Sequence, residues 1–78
     1  MWFVYILKSV NYRKSYVGCT DNIQRRLTEH NSGKSYYTKR FKPWKILKIE
    51  EFTAYKDARQ KERFYKSGVG RQALKKLF

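Results

Sequence analysis

The sequence predicts an α+β domain in which helices flank a small three-stranded antiparallel sheet, in the order β-β-α-β-α-α. Three patterns support this fold class. An apolar run, WFVYIL, fills residues 2–7, residues 44–52 alternate well enough for a third strand, and two segments with helical spacing follow the second and third strands. With 78 residues, 41% of them hydrophobic, we expect one domain over residues 1–78, with a single modest core.

The first two strands are predicted to form a β-hairpin. The run WFVYIL is rich in β-branched and aromatic residues, which suits a central strand covered on both faces. The polar residues NYRK form a turn, and SYVGC resumes extended character. Registers that place Tyr5 opposite Tyr16 or opposite Gly18 both put the two phenols on one face of the sheet, and the sequence leaves both registers open.

Signals for helix starts and ends follow the second and third strands. We expect a first helix to about Asn31, where NSG ends it, a second from about Tyr55 to Ser67, and a short final helix in GRQALKKLF, residues 70–78. The expected N-caps are Thr20 and Asp21 for the first helix and Thr53 for the second, with Gly68 ending the second.

The charge of the chain predicts an anionic partner. Nineteen Lys and Arg residues against six Asp and Glu give a formal net charge of +13, and self-repulsion of that size opposes folding. Nucleic acid is the first candidate partner and an anionic membrane the second.

Cys19 is the single cysteine, which fits a reducing compartment, and no apolar run is long enough for a signal peptide or a membrane span. We therefore expect a soluble cytoplasmic protein with no membrane partner.

Glu62 is the acidic residue best placed for chemistry. It lies in the middle of the second predicted helix, near the face that should meet the sheet, whereas Asp21 and Asp57 are explained by helix starts. Two roles are open for Glu62. It forms an ordinary salt bridge to Lys66, four residues later, or it provides the carboxylate that a hard metal cation needs.

These segments, in this order, resemble the GIY-YIG nuclease domain in its small stand-alone bacterial form. The matching segments are FVY (3–5) for GIY, YVG (16–18) for YIG, and ERFYK (62–66) for the segment that opens with the family's metal-binding glutamate. Arg26 follows Tyr16 by ten residues, as in the family, and Phe3 replaces the first glycine. The resemblance covers about residues 2–70.

The resemblance implies an endonuclease that hydrolyses phosphodiester bonds in DNA with Mg²⁺ or Mn²⁺, with low sequence specificity, selective for structure or for single strands, and without a small-molecule cofactor. It places the metal on Glu62 and the phosphate on Arg26, whose fork of donors suits phosphate oxygens. We expect Tyr5 to be the base and Tyr16 to position water. A phenol, with a pKa of about 10, needs cations nearby for such work. His30 either assists at this site or lies on the helix surface.

Further residues are expected to contact nucleic acid: Gly18, Lys14, Lys34, Tyr36, Lys39 and Arg40. Gly18 would let substrate or a neighbouring chain approach the strand. The aromatics between residues 36 and 41 either stack on bases among the cations or pack under the sheet. Two other functions remain open: a nucleic-acid-binding module that keeps the nuclease fold without cutting, and a small basic protein-interaction domain. No oligomeric state is predicted.

Overall fold

The computed structural model, which describes residues 1–77, confirms the predicted order of elements. The strands are β1 (Trp2–Ser9), β2 (Ser15–Thr20) and β3 (Trp44–Phe52), and the helices are α1 (Ile23–Ser32), α2 (Tyr55–Lys66) and α3 (Gly68–Lys75). A short 3₁₀ helix, Thr38–Phe41, precedes β3. The sheet order is β2-β1-β3, and both pairings are antiparallel. The apolar first strand is therefore central, as predicted, and β2 and β3 are the two edges.

The register of the β-hairpin decides between the two alternatives that the sequence leaves open. Tyr5 pairs with Gly18, and Leu7 pairs with Tyr16. Directly paired residues point to the same face of a sheet, so the phenols of Tyr5 and Tyr16 share one face. The prediction of a shared face is thus confirmed, through the register that places Tyr5 opposite Gly18.

Each face of the central strand has its own core. Tyr5 and Leu7 pack with Trp44 on one face, against Ile23 and Leu27 of α1. On the other face, the buried core residues are Val4, Ile6, Val17, Ala58, Tyr65 and Leu74. Since successive strand residues point to opposite faces, α1 and the 3₁₀ helix cover one face and α2 and α3 cover the other. Any site that uses both α1 and α2 must therefore form around an edge of the sheet.

The N-cap of α1 is Asn22, so the prediction of Thr20 and Asp21 is wrong. Asn22 has an extended backbone, and its side chain accepts a hydrogen bond from the backbone N–H of Arg25 at 3.0 Å. Thr20 is still part of β2, and its hydroxyl accepts from the backbone N–H of Asn22 instead. The helix continues one residue beyond Asn31 and ends at Gly33, whose φ of 87° is the left-handed conformation that favours glycine.

The boundaries of α2 and α3 also differ from the prediction. Ala54, which has no side-chain acceptor, occupies the N-cap of α2, so Thr53 is not the cap. Ser67 follows α2 and is also the N-cap of α3, where it accepts from the backbone N–H of Gly70. Gly68 therefore begins α3 rather than ending α2. The final helix is confirmed over Gly68–Lys75, and the last predicted helical residue, Phe78, lies outside the described residues.

Candidate active site

Tyr5 is the most deeply buried phenol near the proposed site, with 2% of its surface exposed. Its ring lies directly over Gly18. A Cβ at position 18 would overlap the ring and the hydroxyl of Tyr5. The missing side chain of Gly18 therefore makes room for Tyr5. Of the two partners that the sequence allowed to approach Gly18, the neighbouring strand does so through Tyr5, and contact of Gly18 with nucleic acid stays a prediction.

The hydroxyl of Tyr5 contacts a fully buried histidine. Tyr5 Oη lies 3.1 Å from Nε2 of His30, and Nδ1 of His30 lies 2.7 Å from Oγ1 of Thr38. His30 has no exposed surface, so the alternative of a helix-surface histidine is wrong. Arg26, one turn earlier in α1, brings its NH2 group to 3.5 Å from the same Nε2. A guanidinium can only donate, so Nε2 is the acceptor, and Nδ1 carries the proton that is donated to Thr38.

The surroundings of this pair keep both rings neutral near pH 7. Burial raises the pKa of Tyr5 to about 12, and Arg26 offsets only part of that rise. Burial, together with the positive charge of Arg26, lowers the pKa of His30 to about 4. A perturbed phenol beside a perturbed imidazole is a pattern that concentrates at functional sites.

Arg26 joins the buried pair to the surface. Its NH1 group donates to Oε1 of Glu29 at 2.6 Å, and both side chains are partly exposed. Burial opposes the charge of Arg26, but hydrogen bonding to Tyr5 and Glu29 outweighs burial and raises the guanidinium pKa above its ordinary value. Arg26 therefore stays charged at every accessible pH, and it holds the pKa of Glu29 below its usual range.

Tyr16 stands between the buried pair and solvent. Its ring centroid is 4.7 Å from that of His30 and 6.2 Å from that of Tyr5. Tyr16 also lines an open cleft of about 360 Å³, together with Tyr37, Lys66 and other residues of β2, α2 and α3. Of the two tyrosines in the strand motifs, Tyr16 is therefore the one that a ligand in the cleft can reach first.

Glu62 approaches the site from the opposite face of the sheet. It is 5% exposed, and its oxygens are paired with Arg59 NH1 at 2.6 Å and with Lys66 Nζ at 2.9 Å. The salt bridge to Lys66 is thus present, as one of the two sequence alternatives had it. Burial is the main cause of the raised pKa of Tyr5, and the negative charge of Glu62 adds a small part of that rise.

The cationic residues predicted to bind nucleic acid lie around the 3₁₀ helix and the β1–β2 turn. The ammonium of Lys39 lies 5.1 Å from the ring centroid of Tyr36, and that of Lys14 lies 5.3 Å from the centroid of Phe41. The guanidinium of Arg40 is also near the Phe41 ring. Phe41 packs partly against the core, whereas Tyr36 and the cations Lys14, Lys34, Lys39 and Arg40 are exposed. Phe41 therefore follows the packing alternative, whereas base stacking by the exposed Tyr36 stays a prediction.

Comparison with known protein families identifies the family to which the chain belongs. The family model for the GIY-YIG catalytic domain matches residues 1–75. The chain belongs to the GIY-YIG family. That match includes both strand tyrosines, Arg26 and Glu62.

Individual GIY-YIG relatives support the same assignment. The chain is 47% identical over 51 residues to the structure-specific endonuclease subunit SLX1 of Debaryomyces hansenii, a match that covers 56% of this chain and 15% of that protein. It is 37% identical over 76 residues to a UPF0213 protein of Lactococcus lactis subsp. cremoris, covering 96% of this chain and 76% of that protein. The chain spans only 56% of two further UPF0213 relatives.

A solved structure shows the same fold. The solution NMR structure of the UPF0213 protein BH0048 from Bacillus halodurans matches with a TM-score of 0.57 and 30% sequence identity, covering 99% of this chain and 85% of that one. Within residues 1–77, no helix is both long and apolar enough to cross a membrane.

The side chains of the GIY-YIG site fit a metal ion in one binding mode only. Among residues 1–77, no three His, Cys, Asp or Glu side chains lie close enough together to form a metal cage. Mg²⁺, however, commonly binds through one or two carboxylates, several waters and the phosphates of its substrate. Glu62 satisfies that mode as a single inward carboxylate, and its two cationic partners, Arg59 and Lys66, are half exposed.

Sequence reasoning missed two residues that shape the site. Thr38 fixes the His30 ring, and Arg59 pairs with Glu62. The position of Arg59, three residues before Glu62, carried a usable signal, since such spacing allows a helical ion pair. Thr38 carried none, because its contact depends on how the segment after α1 folds back. Tyr37, one of the aromatics between residues 36 and 41 that the sequence offered for base stacking or packing, lines the cleft beside Tyr16.

Proposed function

We propose that the chain is a divalent-metal-dependent endonuclease that hydrolyses phosphodiester bonds in DNA with low sequence specificity. The observation that carries the proposal is the buried contact between Tyr5 and His30, with Arg26 beside them and Tyr16 facing the cleft. Membership of the GIY-YIG family supports it. The match to SLX1, which is named a structure-specific endonuclease subunit, supports DNA as the substrate and selection by structure.

Tyr5 is proposed as the base, with Tyr16 orienting the attacking water. The proton of Tyr5 passes to Nε2 of His30, the acceptor that it already contacts at 3.1 Å, as the phenol accepts a proton from water. Because burial raises the pKa of Tyr5 and lowers that of His30, that transfer is strongly unfavourable in the free protein. A phosphate close to His30 would stabilise the imidazolium, so we expect the step to require bound substrate.

Arg26 is proposed to bind the oxygens of the scissile phosphate. Its guanidinium is always charged, and its fork of donors can form hydrogen bonds to two phosphate oxygens while it remains next to His30. Charge that builds on phosphorus would then be stabilised by a donor already fixed in place by Glu29. Removal of Arg26 should therefore slow cleavage more than it weakens DNA binding.

Glu62 is proposed to hold Mg²⁺ or Mn²⁺. When bound, the ion supplies Lewis-acid stabilisation to the phosphate and its leaving group. In the free protein, Arg59 and Lys66 neutralise the carboxylate, so both must move or share it when the cation enters. This competition predicts weak metal binding in the absence of DNA.

A set of exposed residues is proposed to hold the DNA backbone: Lys14, Lys34, Tyr36, Lys39 and Arg40. All lie in the β1–β2 turn or in the segment between α1 and β3. Contacts of this type neutralise phosphates and position the DNA without reading its sequence. They suit the low sequence specificity of the proposed enzyme.

One observation favours a second candidate, a nucleic-acid-binding module that keeps the fold and does not cut. Both oxygens of Glu62 are occupied by cations, and a carboxylate in that state is an ion pair rather than a metal ligand. Both candidates predict DNA binding that weakens with salt. They differ only in whether Glu62 is needed for a metal-dependent reaction.

The test is to compare binding and cleavage in the wild type and in Glu62→Gln, using labelled single-stranded, duplex and branched DNA. The nuclease predicts cleavage with Mg²⁺ or Mn²⁺ that Glu62→Gln abolishes, with binding in EDTA changed less than about threefold. Glu51→Gln, an exposed glutamate on β3, is the matched control and should cleave normally. Binding without cleavage on every substrate would replace the enzyme with the binding module.

A further inference from the structure

Two adjoining clefts form one groove along the free edge of β2. They measure about 360 and 350 Å³ and share residues of β2, the segment before the 3₁₀ helix, and α3. The β2-edge groove is defined by the residues that line either cleft: Arg13, Lys14, Ser15, Tyr16, Val17, Tyr37, Tyr65, Lys66, Arg71, Leu74 and Lys75. Tyr16 and Val17 point to opposite faces of the sheet, so the groove follows the edge itself and leads to the Tyr16 side of the candidate active site.

Every charged residue of the β2-edge groove is a cation. Lys66 is paired with Glu62, and Lys14 lies against the Phe41 ring. Within residues 1–77, none of Arg13, Arg71 and Lys75 forms a salt bridge. A concave surface lined by one sign of charge concentrates the field and attracts polyanions. The groove is therefore suited to a phosphate backbone and unsuited to a basic or neutral peptide.

An aromatic side chain stands where the two clefts meet. Tyr37 lines both clefts and is 44% exposed. The centroid of its ring lies 6.2 Å from that of Tyr16, with the two rings tilted by 31°, and 5.5 Å from that of Phe41. Tyr37 is thus supported from two sides, and part of its ring remains open to the groove. Aromatic rings in basic grooves stack on bases, which requires bases that are not paired in a duplex.

We propose that the β2-edge groove binds a single-stranded segment of DNA and leads it to Tyr16, with Tyr37 stacking on a base and Arg13, Arg71 and Lys75 contacting phosphates. The inference rests on the proposed function and gives its substrate class: DNA with an unpaired stretch next to the scissile bond. A blunt duplex would still contact the exposed cations, but it offers Tyr37 no base to stack on.

The first experiment measures binding of a dye-labelled oligothymidylate, and of a blunt duplex of equal length, by fluorescence anisotropy in EDTA. Arg71→Ala/Lys75→Ala removes two groove cations. The matched control, Lys45→Ala/Lys48→Ala, removes two exposed cations from β3, the opposite edge of the sheet. We expect the groove pair to weaken single-strand binding about tenfold or more, and to reduce the salt slope by about 1.4, which is 0.7 for each of two phosphates. The control should weaken it less than threefold.

Equal weakening by the two pairs would overturn the inference, because it would mean that only net charge matters. Circular dichroism melts of each variant distinguish lost contacts from lost folding, since α3 packs on the core through Leu74. Arg71→Gln/Lys75→Gln, which keeps more of the helix surface polar, is the second pair if the alanine variant melts early.

The second experiment tests the aromatic contact. Tyr37→Ala should weaken oligothymidylate binding about fivefold or more and leave duplex binding unchanged, whereas Tyr37→Phe, which keeps the ring, should bind like the wild type. Tyr55→Ala is the control, since Tyr55 is similarly exposed but stacks on Trp2, away from the groove. Equal losses on single strand and duplex, or none on either, would overturn the stacking role.

The outcomes separate this inference from the proposed function. Binding in EDTA needs no cleavage, so groove-dependent binding by a chain that never cuts DNA supports the groove and refutes the nuclease. A chain that cuts DNA with metal but is indifferent to all groove variants refutes the groove alone.

Discussion

At the residue scale, the molecule concentrates its unusual chemistry in one buried contact. Tyr5 and His30 are held together by packing around Gly18 and by the hydrogen bond to Thr38, and both are neutral near pH 7 because burial disfavours their charged forms. Buried titratable groups with strongly shifted pKa values cluster at functional sites, which is why a functional explanation is preferred.

The pKa of Tyr5 can be tested by titration of the phenols. Burial raises the pKa of Tyr5 to about 12, and burial with the hydrogen bond to Glu50 raises that of Tyr65 to about 12. Phenolate absorbance can be read after a pH jump, before the chain unfolds. It should show a titration phase at about pH 12, and Tyr5→Phe and Tyr65→Phe should each lower the amplitude of that phase by one phenol. A late phase of full amplitude in Tyr5→Phe would contradict the buried position of this ring.

The burial of His30 makes folding sensitive to acid. The folded pKa of about 4 lies below the ordinary 6.5, so between these values only the unfolded chain binds the proton. This contribution to stability is complete above about pH 6.5 and is lost as pH falls toward 4, by up to about 3 kcal/mol. Urea unfolding from pH 7 to 4 should show a flatter stability profile for His30→Gln than for wild type. Parallel profiles would mean that the histidine is accessible to solvent in the folded state.

How much of the site the sequence predicted follows from how local each contact is. The shared face of Tyr5 and Tyr16 was predictable, because strand alternation and an antiparallel pairing dictate it. The burial of His30 was not, since nothing in α1 reveals which segment will cover that face of the helix. The pairing of Glu62 with Lys66 was predictable from helical spacing alone.

At the element scale, the start of α1 shows how a neighbouring strand selects a helix cap. The segment TDN offers three consecutive residues that cap helices well. Thr20 is held in β2 by its pairing with Phe3, and only Asn22 has both the extended backbone and the bond to Arg25. The existence of the helix was predictable from its local pattern, but the choice of cap depended on where β2 ends.

The cap assignment gives a stability prediction. Asn22→Ala should lower the free energy of unfolding by about 1 kcal/mol, because one backbone N–H of the first turn loses its acceptor. Asp21→Ala removes only an exposed ion pair to Arg25 and should cost about 0.5 kcal/mol or less. Urea unfolding of both variants checks the difference. A larger loss of stability for Asp21→Ala than for Asn22→Ala would mean that Asn22 is not the N-cap.

At the scale of the whole molecule, the net charge and the groove that the fold creates both indicate an anionic partner. The β2-edge groove is assembled from the β1–β2 hairpin, the segment after α1, and α2 and α3, so no local pattern in the sequence could have predicted it. The net charge, by contrast, was available from composition and already pointed to an anionic partner.

Self-repulsion among the cations should make stability depend on ionic strength. We expect sodium chloride between low and moderate concentration to raise the free energy of unfolding, since counterions screen like charges. Lys45→Glu/Lys48→Glu changes the charge by two units at each position and lowers the formal net charge from +13 to +9. The same salt should therefore stabilise this variant less. Urea titrations at several salt concentrations measure both slopes. Equal slopes would mean that the positive charges do not interact in the folded chain.

The central claim is that Tyr5 and Glu62, which lie in different layers of the fold, serve one metal-dependent cleavage site at the edge of the sheet. The most direct measurement is single-turnover cleavage of labelled DNA with an unpaired arm in Mg²⁺ or Mn²⁺, for wild type, Tyr5→Phe, Glu62→Gln and the control Tyr55→Phe, an exposed tyrosine outside the β2-edge groove. We predict cleavage by wild type and Tyr55→Phe, and at least about a hundredfold slower cleavage by each of the other two variants. Wild-type rates in either Tyr5→Phe or Glu62→Gln would contradict the claim.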